Sequence, residues 1–505
     1  MTTVRTNVLA NLAGQGWSAF LQLLLLPLYI HFLGVEAYGI VSLYVVLITS
    51  VQIFDLGLAQ TLNRELARWR GLPERTAEVR DLVRTVEIVY WAIIAAVCAA
   101  LLVLATAFIG SVLHPQHLDA DAVAKAVALM IAVVALQWPV TLYQSGLMGL
   151  QHQISANVLR IVLSTLAGAG AILTLWLVAP TIVAFFAWQI IAGVVAVAWT
   201  AYVFHARLPA ANEQPRFRPE LLKGIWRFAA GVSGLTISAV VLTQMDKWLL
   251  VNILTLEAFG YYALAWTAAG ALNLLTAPIF AAIFPRFSTL IVSQERRILI
   301  NVYQVATQAM ATAIFPLAIF ISLFSHEVLL LWTGNPDVAR NSGPMLSLLV
   351  IGTALNGLAY LPYAWELARG RTRFVLTING VLILLLVPSI WYFANRYGAI
   401  AAAALWVAMN IIYLLVFIPV VHRALEPKDR LQWLFRDIGL PLSVSAVILG
   451  ALRIVLPANM SKLAMAIALG AALIACFAAA ALSSRNLMHA LRRTDMRQSG
   501  IDGGR

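Results

Sequence analysis

Charge and cysteine are what this chain has least of. Asp, Glu, Lys and Arg make up 11% of its 505 residues, against about 25% in soluble domains. That leaves too little polar side chain to cover a water-exposed surface, so a soluble globular fold is excluded. The two cysteines, Cys98 and Cys476, lie far apart inside apolar stretches. This rules out a disulfide framework or a Cys-based metal or redox site, and both read as packing residues. Catalytic signatures are missing too: there is no Walker loop, no GxGxxG and no GxSxG. The eight histidines are scattered, His114 and His117 being the nearest pair and reading as part of a solvated loop. No catalytic residue, metal or cofactor is expected. The chain carries a net charge of +12, but its Lys and Arg are not interleaved with aromatics on a polar background. The excess therefore reads as membrane orientation and not as nucleic-acid binding.

In place of charge there is hydrophobicity, at 62% of residues with a mean hydropathy of +0.87. The chain reads as an all-α polytopic membrane protein. A spanning helix needs about 20 apolar residues, and on that measure six helices fall near 8–32, 37–58, 86–112, 122–149, 155–179 and 181–205. The first of these carries Asn11, Gln15 and Gln22 and no small-residue cleavage site follows it, so it is expected to remain as a helix. After a polar linker, Ala206–Glu220, six more follow near 225–248, 258–282, 299–325, 344–366, 374–394 and 398–421, and a last pair near 438–456 and 461–483. The expected total is about fourteen. External loops are short, the longest running from about 326 to 343.

A repeat orders these helices. LGVEAYGIVSL, Leu33–Leu43, returns as LTLEAFGYYAL, Leu254–Leu264, an offset of 221 residues. Six helices lie between the copies, an even number, so both face one side of the membrane and the halves are expected to be parallel repeats. The expected domains are a six-helix lobe over 1–210, a second over 211–425, and a C-terminal region over 426–505 comprising an interfacial helix, two extra membrane helices and a basic tail. With the N-terminus inside, Lys125, Lys247, Arg340, Arg396, Arg453 and Lys462 are outside; of 34 Lys and Arg, the other 28 are inside. That bias is the positive-inside pattern, so both termini are expected to be cytoplasmic. In DRLQWLFRDI, Leu431, Leu434, Phe435 and Ile438 follow an i, i+3, i+4, i+7 pattern with Asp429, Arg430, Arg436 and Asp437 elsewhere, which suits an interfacial helix. The stretch with Leu62, Leu66 and Trp69 reads equally as a weaker interfacial helix or a solvated linker.

A charge at the bilayer centre costs about 2.5–3.5 kcal/mol, so the depth of each polar residue decides how it is read. Asp55, Asp246 and Glu366 fall near helix ends, where they either reach headgroups or take part in ion coupling. Asp246 and Lys247 point about 100° apart on a helix and so are not expected to form a simple internal pair. Near mid-depth are Gln22 and Gln137 in the first half, and Asn273, Gln308, Asn356 and Asn410 in the second. Each amide reads as a helix-to-helix hydrogen bond or as part of a polar cleft wall.

Several stretches together resemble one family: the Pro27-Leu28-Tyr29 helix end, LGVEAYG, FDLGL at Phe54–Leu58 followed by NRELARWRG, and TQMDKWLL followed by LTLEAFGYYAL. They are similar to the polysaccharide or oligosaccharide flippases, which move undecaprenyl-linked sugar repeats and belong to a superfamily with multidrug and toxin extrusion transporters and lipid II flippases. The resemblance implies two six-helix lobes in a V around a polar or cationic cavity, and alternating access. It implies a cargo that is an undecaprenyl-pyrophosphate-linked oligosaccharide of O-antigen, lipopolysaccharide, capsule or exopolysaccharide type, moved across the inner membrane. Membrane lipids and glycan polymerase or assembly proteins would be partners. The lipid II branch carries arginines in its first helix; here no Arg lies between Arg5 and Arg64, which disfavours that cargo. The pyrophosphate candidates are Arg160, Arg64, Arg84 and Arg286, since arginine binds phosphate with two parallel hydrogen bonds; orientation and headgroup contact are the commoner reasons for such arginines. Gln22, Asn273, Asn356 and Asn410 are the amide candidates for cargo, and Asp55, Asp246 and Glu366 the carboxylates for ion coupling. The alternatives are a drug/cation antiporter, a lipid II flippase and, more remotely, a membrane-embedded glycan polymerase or ligase.

Overall fold

The computed structural model describes residues 2–69, 76–111, 113, 115–209, 214–423, 427–457 and 460–484. Arg70, Arg75, His114, Asn212 and the basic tail from Arg485 onward lie outside the described residues. Every element among the described residues is a helix. Thirteen helices are long and apolar enough to cross a membrane. One of them, Ala10–Asp55, has 46 residues, about twice what one crossing requires. It is broken inside α1 (Thr2–Ser50) at Gly34, whose φ of 78° and ψ of 169° are open to glycine and strained for any residue with a Cβ. Counting the two arms of α1 separately restores the expected fourteen.

Packing divides the chain into two compact units, Met1–Ala263 and Leu264–Arg505. The linker and the repeat divide it instead near residue 210. The difference arises because α7 (Pro219–Ile253), the first helix of the second repeat, packs against α1, α2 (Leu58–Trp69) and α3 (Thr76–Ser111).

In the first unit α1 runs along α5 (Gln153–Leu177), and α4 (Ala120–Gly149) along α6 (Ile182–Arg207). Helix α2 follows a left-handed turn at Leu56 and Gly57. Its Leu62 and Leu66 are fully buried, and a Cβ at Gly149 would stand 2.5 Å from the Asn63 carbonyl oxygen. The 58–69 stretch is therefore packed against α4, which corrects both readings of it as a membrane-lying helix or a solvated linker. Both copies of the repeated motif, except the final Leu264, also lie in this unit and touch reciprocally. A Cβ at Gly39 would stand 2.5 Å from the Leu256 carbonyl oxygen, and one at Gly260, on α8 (Leu256–Ala269), would meet the Val35 carbonyl oxygen. Leu256 is the residue equivalent to Val35, so the two glycines make the same close approach about a local two-fold relation.

In the second unit α10 (Arg296–Leu323) is central, touching α9 (Asn273–Val292), α12 (Pro336–Ala368), α16 (Leu440–Val455) and α17 (Lys462–Ser483). The expected loop at 326–343 is largely helical. Helix α11 (Ser325–Thr333) ends at Gly334, φ 68°, and Asn335 then caps α12 by accepting from the backbone N–H groups of Asp337 and Val338 at 2.9 and 3.3 Å. With Pro336 at the first position, these caps start α12 eight residues before the expected 344. Helix α13 (Thr372–Tyr397) and α14 (Ala399–His422) complete the hairpins, α12 lying along α14. The interfacial stretch comprises α15 (Pro427–Gln432) and a π-helical turn, Trp433–Gly439. Leu431, Leu434 and Phe435 are exposed as the amphipathic pattern requires, but Asp437 is fully buried. The turn sets Trp433 and Asp437 on one face against α10, where Gln308 donates to Asp437 at 2.7 Å and Trp433 to Thr307 at 3.0 Å.

Candidate functional site

The first arm of α1 carries a polar stripe along a spanning helix of the first unit. Asn11, Gln15, Ser18 and Gln22 follow i, i+4, i+7, i+11, so they share one side of the helix. One edge is hydrogen-bonded to α5: Asn11 donates to Gln153 at 3.2 Å, Asn157 donates to Asn11 at 2.5 Å, Trp17 to Thr165 at 2.9 Å and Ser18 to Ser164 at 3.3 Å. Tyr29 continues this seam by donating to the Gly168 carbonyl at 3.2 Å. From Asn11 to Tyr29 the contacts cover about 27 Å at 1.5 Å per residue, most of a hydrocarbon core. Gln15 and Gln22 project from the other edge and are exposed. Gln137 is differently placed, as it accepts from Tyr44 at 2.5 Å between α1 and α4.

Arg160 sits on α5 two turns beyond its start. The turn before α5, Leu150–His152, contains left-handed Gln151 and lets the backbone reverse out of α4. Arg160 is half-buried and donates to the Gln144 amide oxygen at 3.4 Å. No carboxylate comes within 4 Å of it among the described residues. A guanidinium on a spanning helix with a neutral partner is an electrostatic vacancy for an anion.

The other arginines are not gathered beside it. Arg64, on α2, is 3.5 Å from Glu65, which also meets Arg68 at 3.4 Å. Arg84, on α3, opens into a cavity with Arg80, Glu87 and His205. Arg286 is exposed on α9, in the second unit. The amides of the second unit are mostly engaged between helices. Asn356 donates to Asn410 at 2.8 Å, Asn410 donates to the Trp406 carbonyl at 2.8 Å, and Gln308 holds Asp437. Asn273 alone of that group is exposed, at the start of α9.

The three carboxylates differ sharply. Asp246 and Lys247, expected to diverge, form a buried pair with both Asp246 oxygens 3.0 Å from Nζ. Tyr262 donates to Asp246 at 2.6 Å, and Lys247 also donates to the Thr243 carbonyl at 2.7 Å. The long lysine stem folds back along the helix, which a comparison of Cα directions alone does not capture. Glu366 is fully buried at the end of α12 between Arg369 at 3.8 Å and Arg371 at 3.4 Å. Asp55 is half-buried, and its Oδ1 has no hydrogen-bond partner. The buried Asp437, read from the sequence as part of a solvated polar face, was a missed site. Its signal was the i, i+4 spacing from Trp433, which puts both on one side of the helix while Leu431 and Leu434 are exposed.

The profile of the polysaccharide biosynthesis protein family matches residues 4–291, through all of the first unit and into α9. The chain belongs to that family. A Shigella flexneri protein named as a candidate O-antigen transporter is 24% identical over 79% of this chain and 93% of its own length. The fold is shared with the lipid II flippase MurJ. An inward closed structure of MurJ superposes with a TM-score of 0.71 over 96% of this chain and 99% of that one, at 12% identity. An inward-facing multidrug transporter of the MATE family gives 0.68 over 83% and 94%, at 16% identity.

Proposed function

We propose that this chain is a flippase that moves a lipid-linked oligosaccharide, carried on undecaprenyl pyrophosphate, across the inner membrane by alternating access. Arg160 carries the reading: a half-buried guanidinium on a spanning helix, with an amide and no carboxylate beside it, is suited to the pyrophosphate that must leave the headgroup region. The exposed Gln15 and Gln22 support it, since amides left open at membrane depth call for water or for sugar hydroxyls as partners. In this reading Arg64, Arg84 and Arg286 meet headgroups or incoming cargo, and Asn273 offers the corresponding open amide of the second repeat. Asn356 and Asn410 serve chiefly to join α12 to α14. The two six-helix repeats, 1–210 and 211–425, move as lobes, with the region from 426 as an addition; glycan polymerase or assembly proteins take up the product. No step requires a catalytic residue.

The family, the O-antigen transporter relative and the flippase fold support a transporter over an enzyme. A drug/cation antiporter needs a carboxylate without a cationic partner, and of the three only Asp55 has no Lys, Arg or His within 4 Å among the described residues. Asp246 and Glu366 are already ion-paired. If transport is ion-driven, Asp55→Asn therefore has the largest effect of the three.

Arg160→Ala is expected to lower transport of lipid-linked sugar at normal protein abundance. Arg160→Lys should rescue only part, because an ammonium lacks the planar fork. Full transport by the alanine variant would reduce Arg160 to an orientation residue. Both termini and the 206–224 segment are placed in the cytoplasm on the basic-residue bias. A cysteine at Asn212 should resist an impermeant reagent in intact cells and one at Asp337 should react; the reverse pattern rejects the orientation.

A further inference from the structure

The first turns of α3 and the end of α6 enclose a second basic site, on helices other than those bearing the α1–α5 stripe. A cavity of about 330 Å³ opens there, lined by Arg80, Arg84, Glu87, His205, Gln214 and Pro215 among others. That is the small end of the range of ligand pockets, about 300–1,000 Å³. Arg80, Arg84 and Glu87 follow i, i+4, i+7, which brings all three to one side of α3.

The charges around the cavity do not cancel. Glu87 is buried and is held by His205 Nε2 at 2.8 Å. Asp81, also buried, is fully occupied by the chain leading into α7: its Oδ2 is 2.8 Å from Arg218 Nε and its Oδ1 accepts from the Arg216 backbone N–H at 2.7 Å. Thr85 accepts from the Arg218 backbone N–H at 2.9 Å, holding the same segment down. Arg80 uses Nε on the Pro209 carbonyl at 2.7 Å, which fixes its guanidinium, and no carboxylate lies within 4 Å of it among the described residues. Arg84 is exposed and no carboxylate lies within 4 Å of it among the described residues. Two guanidinium groups thus face one cavity whose nearest carboxylates are already paired, and one of the two is pre-oriented.

We propose that this cavity binds a phosphate group, with Arg84 and Arg80 as its two forks. Guanidinium recognises phosphate through parallel charge-assisted hydrogen bonds, and two such groups match a dianion. The walls come from α3, the end of α6 and the segment entering α7, so an occupied site ties the connection between the two repeats to the first. The phosphate can come from an anionic lipid headgroup or from a soluble phosphate compound. The proposal deepens the reading that gives Arg84 to headgroups or cargo, and its test is separable from that reading because it measures binding and not transport.

The test uses the purified full chain carrying Arg160→Ala, which removes the pyrophosphate contact proposed on α5 and serves as the reference, in nanodiscs of phosphatidylcholine, with inorganic pyrophosphate as the soluble probe. The reference should bind it, and Arg84→Gln added to it should weaken binding about tenfold, the loss of one charge-assisted contact. Arg84→Glu should abolish it, and Arg340→Gln, on an exposed helix end in the second unit, should leave it unchanged. Arg84 is exposed and in no ion pair among the described residues, so these variants are expected to remain folded, which circular dichroism checks. Repeating the titration with phosphatidylglycerol in the disc identifies the source. If the lipid competes, weakening pyrophosphate binding in the reference but not further in Arg84→Gln, the site reads a headgroup. If the constant is the same in both discs, the site takes a soluble phosphate. Equal binding by the reference and Arg84→Glu, or no binding by the reference in either disc, overturns the proposal.

Discussion

At Gly34 the chain breaks α1 with a φ of 78°; 221 residues later Thr255 does the same work between α7 and α8 with ordinary dihedrals around it. Leu254 is extended there, and the Thr255 hydroxyl accepts from the Ala258 backbone N–H at 3.3 Å, capping the new helix. The same bend is reached once through glycine's conformational freedom and once through a side-chain cap. A larger contrast lies one helix turn or two earlier. Counting 221 back from Asp246 and Lys247 lands on Leu25 and Leu26, and from Tyr262 on Val41, all of them buried. Where the first copy packs three apolar side chains, the second buries an ion pair under a tyrosine hydroxyl. Since apolar residues occupy these positions in the first copy, the bend itself does not call for the charges. Their presence in only one copy points to a role other than holding the bend.

Breaking that pair on one side should produce the largest effect. Lys247→Leu strands a buried carboxylate, which costs about 3–5 kcal/mol, while Asp246→Leu with Lys247→Leu makes the second copy resemble the first and should be near neutral or stabilising. Thermal unfolding in nanodiscs would read both. If the double variant is as unstable as the single, the ion pair is a structural requirement after all. If it is stable and transports less, the pair serves the transport cycle.

The glycines test the side of the comparison where the copies agree. Gly39→Ala and Gly260→Ala each push a methyl into a backbone carbonyl, of Leu256 and Val35 respectively, that cannot rotate away. Each should destabilise by about 1–3 kcal/mol. Because the two contacts are reciprocal, the double variant should be less destabilising than the sum: once one alanine has moved the segments apart, the second meets less resistance. Simple additivity would mean that the approaches are independent.

These contrasts mark what could be read from residues alone. Helix number followed from apolar length, because about 20 residues are a physical minimum for crossing lipid, and the repeat located both bends. Packing partners were less legible. Lys247 was misjudged because Cα directions ignore a four-carbon stem that can curl back to the preceding residue. Asp437 was misjudged because its spacing shows a face shared with Trp433 but not that α10 covers that face, with Gln308 as its partner. The amides Asn356, Asn410 and Gln308 showed their depth but not their neighbours, which lie 54 and 129 residues away. Arg160 was singled out by its place beyond a polar turn; that its partner is Gln144 and no carboxylate required the packing of α4 against α5.

The smallest expected effect concerns the two motif glutamates, which occupy one position but do different things. Glu36 is buried and accepts from the backbone N–H groups of Gln116 and His117, the latter at 3.0 Å to Oε2. It thereby holds the segment before α4 to the bend of α1. Glu257 is half-buried and accepts from Tyr261 on its own helix at 3.0 Å. A carboxylate can face two backbone donors with both oxygens, whereas a glutamine must turn its NH₂ toward one of them. Glu36→Gln should therefore lose the difference between charged and neutral hydrogen bonds, about 1 kcal/mol, while Glu257→Gln should stay within about 0.5 kcal/mol as at other partly exposed positions. Hydrogen exchange at the Gln116 and His117 amides separates the local cause from a global one. In Glu36→Gln these two should exchange faster while the amides of the α4 core keep their rates, and in Glu257→Gln neither should change. Equal protection of the two amides in both variants would show that the Glu36 contact does not anchor the segment, and that the two motif copies differ in their bends but not in what their glutamates hold.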